Sequence, residues 1–299
     1  MNRPRRPAAV SPAALAVAAG LLVLAAADAH AEAQRFDATA LKIERLRGEI
    51  DIAVGGTGIE VETRTIEGDA QELTVQREGD AVVIRQRSDS YATWFSFGWF
   101  GDSDEGGRHV VTVRLPEGTP VSVEGFIGRA RIGDIRSALS FGGFSAEADI
   151  GDVKAAAIRI AGDGKVRIET VETGARLNIA GDGEISIGDA GSVDLAGDGR
   201  ARIGAIDGGL KIDVAGDGDV EAQRVNGPFE VSVAGDARVM VAEGRADPLR
   251  VSVAGSADIN FGGTASTAKV SGFGDGKVRV RVVEGPVDTS GMITFRTGD

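Results

Sequence analysis

The sequence predicts an all-β protein, a right-handed parallel β-helix (β-solenoid) of about nine short coils, on three observations. A Gly-centred step recurs about every 19 residues, apolar and polar residues alternate on both sides of that step, and the composition is rich in glycine with 44 Gly and no Cys. Self-similarity at a fixed period marks units that bury their apolar faces only by stacking on one another.

The repeat is plainest in Ile160-Ala161-Gly162-Asp163-Gly164, Ile179-Ala180-Gly181-Asp182-Gly183, Leu195-Ala196-Gly197-Asp198-Gly199 and Val214-Ala215-Gly216-Asp217-Gly218. Degraded copies follow at Gly235, Gly255 and Gly274, and two earlier copies at Gly125 and Gly143 lack the Asp. Within each unit Leu177 and Ile179 flank Asn178, and after the step Ile185 and Ile187 flank Ser186, the alternation of a strand with one buried face. A third apolar residue recurs a few positions later, at Val171, Ala190, Ile206 and Val225. Each unit therefore reads as strand, tight turn, strand, corner, with Arg167, Ser186, Arg202 and Glu221 forming an outward polar ladder. Coils stacked about 4.8 Å apart give a rod roughly 40 Å long. Right-handedness follows the rule for parallel crossovers, and the hexapeptide period of left-handed forms is absent. The rival fold is an antiparallel sandwich with Gly-Asp-Gly as hairpin turns; a sandwich rarely keeps one period through so many units.

Residues 1–31 read as a signal peptide. Arg3, Arg5 and Arg6 precede the apolar run Ala13–Ala27, and Ala29-His30-Ala31 offers a small-x-small cleavage site. The run is shorter than the ~20 residues that span a bilayer. Its loss removes three cations and one anion and takes the formal charge from −12 to −14. So acidic a chain disfavours nucleic acid as a partner. Without Cys there is no lipid attachment point and no disulfide, so the chain reads as exported, periplasmic or extracellular, and not a lipoprotein, with no transmembrane segment in the mature chain. The end at Asp299 leaves no room for a translocator barrel.

Residues 36–120 lack the period and carry strand-like runs at 49–54, 59–66, 72–77, 81–87 and 109–115. They form either a small β domain or the irregular first coils that cap the solenoid. Residues 121–285 are the solenoid repeats, and 286–299 a C-terminal strand or tail.

The residues also resemble a family. Gly48-Glu49-Ile50-Asp51-Ile52, the strand Gly79–Ile84, Val111-Thr112-Val113-Arg114-Leu115-Pro116 and the serial Ala-Gly-Asp-Gly steps are similar to the putative autotransporter adhesin head GIN domain family, over most of residues 36–285. That resemblance implies an exported, Gly-rich β-helix.

The candidate binding residues are Trp94, Phe95, Phe97, Trp99 and Phe100, in the aromatic loop 91–101 that holds both Trp and the single Tyr. Such a loop serves either as a contact site for an envelope protein or glycan or as a plug over the end of the solenoid. The turn aspartates Asp163, Asp182, Asp198, Asp217, Asp236 and Asp275 stack in a column if the coils are in register, which suits either a hydrogen-bonded tight turn or a ladder for a hard cation. No cofactor is called for and no metal ligand set is named. His109 is the one histidine after the signal, read as structural or exposed. With no Cys nucleophile and no His pair, the chain lacks the parts of most hydrolytic mechanisms. The sequence thus points to a non-enzymatic, adhesin-like binding or scaffold protein. The alternatives are a polysaccharide-active β-helix enzyme, which would need a groove of carboxylates or Arg and Lys between long loops, and a purely structural envelope protein.

Overall fold

Alternation and stacking produce the fold directly. The computed structural model describes residues 33–69, 72–87 and 107–298, in which every regular element of any length is a strand. In chain order these are β1 (Gln34–Phe36), β2 (Ala40–Glu44), β3 (Arg47–Val54), β4 (Ile59–Glu67), β5 (Leu73–Glu78), β6 (Ala81–Gln86), β7 (Arg108–Leu115), β8 (Val121–Ile132) and β9 (Ala138–Phe144). They continue with β10 (Glu147–Ala161), β11 (Lys165–Ala180), β12 (Glu184–Ala190), β13 (Val193–Gly197) and β14 (Gly199–Ile206). The last are β15 (Leu210–Ala265), β16 (Ala268–Phe273), β17 (Lys277–Val283), β18 (Val287–Gly291) and β19 (Thr294–Thr297).

Two columns of parallel rungs result. The stretches before each Gly step pair with one another: β2 with β8, β8 with β9, β9 with β10, and so on to β16 and β18. The stretches after each step form the second column, β3 with β8, β8 with β10, β10 with β11, and on to β17 and β19. Parallel pairing through every repeat excludes the sandwich and makes the molecule a β-solenoid. β15 runs for 56 residues through several corners without a break, so even the bends pair with the coil below.

Residues 36–120 are part of the same stack. β2 and β3 lie inside it: β6 and β7 pair with them on one side and β8 on the other. The coil that is later in sequence therefore lies outside the earlier one. Beyond it the strands reverse. β5 is antiparallel to β6, β4 to β7, and β1 to β4. Antiparallel strands end a parallel stack, because the next coil finds no matching register.

One continuous core fills the interior. Val171, Ala190, Ile206 and Val225 are buried as their spacing predicts. Two aromatic pairs widen the core locally, Phe126 with Phe141 (ring centroids 6.0 Å apart) and Phe229 with Phe261 (5.6 Å). The Gly steps fix how closely coils approach. At Gly235, φ is +140° and an added Cβ would lie 2.4 Å from the carbonyl oxygen of Gly216 in the coil below. Gly255 meets Gly235 in the same way. The step glycines are thus required twice over, by conformation and by contact.

Candidate functional site

The aromatic segment of Trp94, Phe95, Phe97, Trp99 and Phe100 lies outside the described residues. Its two roots do not, and a polar cluster holds them together. The Gln86 amide donates to the carbonyl of Gly107 at 2.7 Å and accepts from the Arg47 N–H at 2.9 Å. The Gly107 N–H donates to the Glu72 carboxylate at 3.1 Å, and the Arg87 N–H donates to the Glu72 carbonyl at 2.7 Å. His109 is fully buried beside them, with Nδ1 3.1 Å from the Thr65 hydroxyl. Its Nε2 has no hydrogen-bond partner among the described residues and stands 4.0 Å from Glu72. Burial pushes the imidazole below its ordinary value, and the Glu72 charge partly offsets this. Of the two readings of this histidine, the structure has the structural one.

The turn aspartates depart from the hydrogen-bonded turn expected of them. None of the six accepts a hydrogen bond through its side chain; the positive φ of the preceding glycine makes the turn without that help. Asp182, Asp198, Asp217, Asp236 and Asp275 instead line an open groove of about 1070 Å³ along that corner, with Arg200, Arg238 and Lys277 among them.

A longer concavity among the described residues lies on the outer face of the second column. It is a groove of about 1320 Å³ that follows the stack from Asp51 to Asn260. Connections this short build no cleft between loops. The cleft arises from stacked glycines, which leave a trough where side chains would otherwise stand. At Gly204 a Cβ would sit 1.9 Å from the Gly188 carbonyl oxygen, so no side chain fits at that rung. The spacing of Gly133, Gly151, Gly188, Gly204 and Gly262 was the available signal, two residues beyond the outward ladder.

The wall of the groove is that ladder. Asp51 pairs in register with Arg131, Arg131 with Asp149, Asp149 with Arg167, Arg167 with Ser186, Ser186 with Arg202 and Arg202 with Glu221. Ion pairs join Arg167 to Asp149 (3.7 Å) and Arg202 to Glu221 (3.6 Å). On the far side Asp134, Asp152 and Glu169 bring carboxylate oxygens within 4.8 Å of one another. Asp134 Oδ1 accepts the Asp152 N–H at 3.0 Å and Asp189 Oδ1 accepts the Ala205 N–H at 3.1 Å, so Asp134 and Asp189 brace the next coil. No long loop flanks the trough among the described residues. From Asp51 to Glu221 the arrangement offers a hydrogen-bond donor or acceptor at each rung along an exposed surface, and Met240 follows at the next.

Residues 210–284 match the family described as putative auto-transporter adhesin, head GIN domain. This stretch of the chain is similar to the head GIN domain family. The head GIN match lies within the uninterrupted β15 and the rungs that follow it. No curated protein matches the chain. Among solved structures, a putative adhesin from Parabacteroides distasonis ATCC 8503 is 11 % identical, over 86 % of this chain and 96 % of that one, with a TM-score of 0.39. A putative lipid binding protein from the same organism is 12 % identical, over 91 % and 98 %, with a TM-score of 0.37. A putative adhesin from Bacteroides fragilis NCTC 9343 is 10 % identical, over 89 % and 96 %, with a TM-score of 0.28.

Proposed function

We propose that the protein is an exported, non-enzymatic, adhesin-like binding protein of the cell envelope, and that it holds a linear, uncharged glycan along the second column's outer groove. The observation that carries this reading is the length and regularity of the trough. Its wall presents a donor or acceptor group at each rung from Asp51 to Glu221, about 4.8 Å apart, before Met240 interrupts the row. A glycan hydroxyl both donates and accepts, so it can use Arg131, Asp149, Arg167 and Arg202 in turn. A polyanion is disfavoured, since Asp51, Asp134, Asp149, Glu169 and Glu221 outnumber the three arginines. The family description and the names of the similar structures support an adhesin-like role on the cell exterior. No helix of the described residues is long and apolar enough to cross a membrane.

The test is binding of the whole chain to a panel of linear β-linked oligosaccharides, peptidoglycan glycan strands included, by isothermal titration. Replacing Arg131, Arg167 and Arg202 with Ser should weaken the best binder by about tenfold or more, a loss near 1.4 kcal/mol. An unchanged affinity defeats the groove reading. A parallel variant with Trp94, Phe95, Phe97, Trp99 and Phe100 changed to Ser reports on the aromatic segment, whose contact role rests on composition alone.

A further inference from the structure

The two ends of the stack are built differently. At one end antiparallel β1, β4 and β5 close the columns. At the other end β18 pairs only with β16 and β19 only with β17, so both present an unpaired edge among the described residues. Apolar exposure concentrates at the same end. Of the eight exposed large apolar residues among those described, Phe273, Val282, Val287 and Met292 lie in the last two coils. Unpaired strand edges beside exposed apolar surface are the usual elements of strand-to-strand association.

The charges at this edge select an occupant. β18 continues the inward columns with Val287 and Thr289 and points Asp288 and Ser290 outward, by its register with Ala268–Gly272. β19 continues them with Phe295 and Thr297 and points Thr294 and Arg296 outward, by its register with Lys277–Val280. Neither Asp288 nor Arg296 has an ion-pair partner among the described residues. Arg296 stands directly over Arg279, so two cations adjoin in one outward row.

Laid antiparallel, the two edge strands match each other. With Thr289 opposite Phe295, the remaining positions follow by count: Asp288 faces Arg296, Ser290 faces Thr294, and Val287 faces Thr297. Outward residues meet outward residues and inward meet inward. Pairing β18 with a second β18, or β19 with a second β19, joins no opposite charges. We infer that β18 and β19 are the interface of a twofold, tail-to-tail dimer, in which β18 of each copy pairs antiparallel with β19 of the other. One axis makes both contacts at once, as a closed isologous interface requires. Arg296 then gains the partner's Asp288 beside the row it shares with Arg279. The core columns continue from one copy into the next. This goes beyond the glycan reading and does not depend on it. The dimer would carry its two grooves on opposite faces.

Sedimentation of the full chain across a range of concentrations tests the interface, with charge-swapped variants. The wild type should be a dimer. Asp288→Arg alone and Arg296→Asp alone should each weaken dimerisation by about tenfold, because each puts two like-charge contacts in place of two ion pairs. The double variant Asp288→Arg/Arg296→Asp should restore it, since the pairs re-form with the signs exchanged. Far-UV circular dichroism of each variant establishes that it is folded, which an outward substitution on an exposed strand should leave unchanged. A wild type that stays monomeric overturns the proposal. So does a dimer indifferent to the single swaps, or a loss that the double variant fails to restore.

Discussion

At the residue scale, single positions do work that composition only hints at. Gly235 combines a φ of +140° with a carbonyl 2.4 Å from where a Cβ would stand. Gly235→Ala should therefore lower stability by more than about 1 kcal/mol, read as a reduced urea midpoint with an unchanged slope. His109 supplies a different handle. It is buried neutral, and its protonation is disfavoured in the folded state by desolvation first, with Glu72 opposing. The unfolded chain binds the proton near its ordinary pKa of about 6.5. The stability tied to the neutral imidazole is thus fully present above that pH and declines as pH falls below it. Melting temperature should drop between about pH 6.5 and the lower folded-state value. His109→Gln should flatten the profile in that window while leaving the carboxylate-driven loss at lower pH. Glu44, held below the usual carboxylate range by hydrogen bonds from Arg85 and Lys42, belongs to that later loss.

At the element scale, the outward rows help to set register. Just after the Gly steps, Glu49, Arg129, Glu147, Lys165, Glu184, Arg200 and Asp219 follow one another in adjacent coils, alternating in sign at every rung. Gly235 on Gly216 and Gly255 on Gly235 carry the register through β15, so Arg238 falls between Asp219 and Asp258, and Asp258 pairs with Lys277. Ion pairs at 3.0 Å (Arg129 with Glu147) and 3.6 Å (Lys165 with Glu184, Arg200 with Asp219) join neighbours in this row. Each exposed pair is weak, but a coil slipped by one rung would set like charges together along the whole row. Deleting one coil, residues 216–234, places Arg200 against Arg238. In that deletion Arg238→Glu should leave stability nearly unchanged, because the attraction gained to Arg200 offsets the repulsion gained from Asp258. In the full chain the same substitution should lower it, because Glu then stands between Asp219 and Asp258. Chemical denaturation of the four proteins gives the size of both effects; an equal loss in the two backgrounds would remove the row from any part in register.

At the scale of the whole molecule, regular stacking explains both proposed surfaces. A trough that continues from coil to coil suits a linear ligand better than a compact one. The same regularity leaves an open edge wherever stacking stops, and here the two ends differ in how they are finished. Affinity for an extended glycan and self-association at β18 and β19 are separable by experiment. The groove variant changes Arg131, Arg167 and Arg202, and the edge variant changes Asp288 and Arg296. Dimeric chains on a multivalent glycan surface should show avidity that the Asp288→Arg variant loses while keeping its single-site affinity.

The sequence by itself determined the repeat, the strands on either side of each Gly step and the identity of the core residues. All of these are local: alternation decides which face is buried, and glycine decides where the chain can bend. The strands of residues 36–120 were legible for the same reason. Their place was not, because alternation says nothing about which coil lies beside which. Only the tertiary structure inserted β2 and β3 between a later coil and the repeats, and turned β1, β4 and β5 antiparallel at the end. It also converted two spacings into surfaces. Glycines in five of the coils became part of the floor of a groove, and charges some 18 residues apart became neighbours on one row. Those are relations between coils, and they exist only once hydrogen bonds across the rungs have fixed the register.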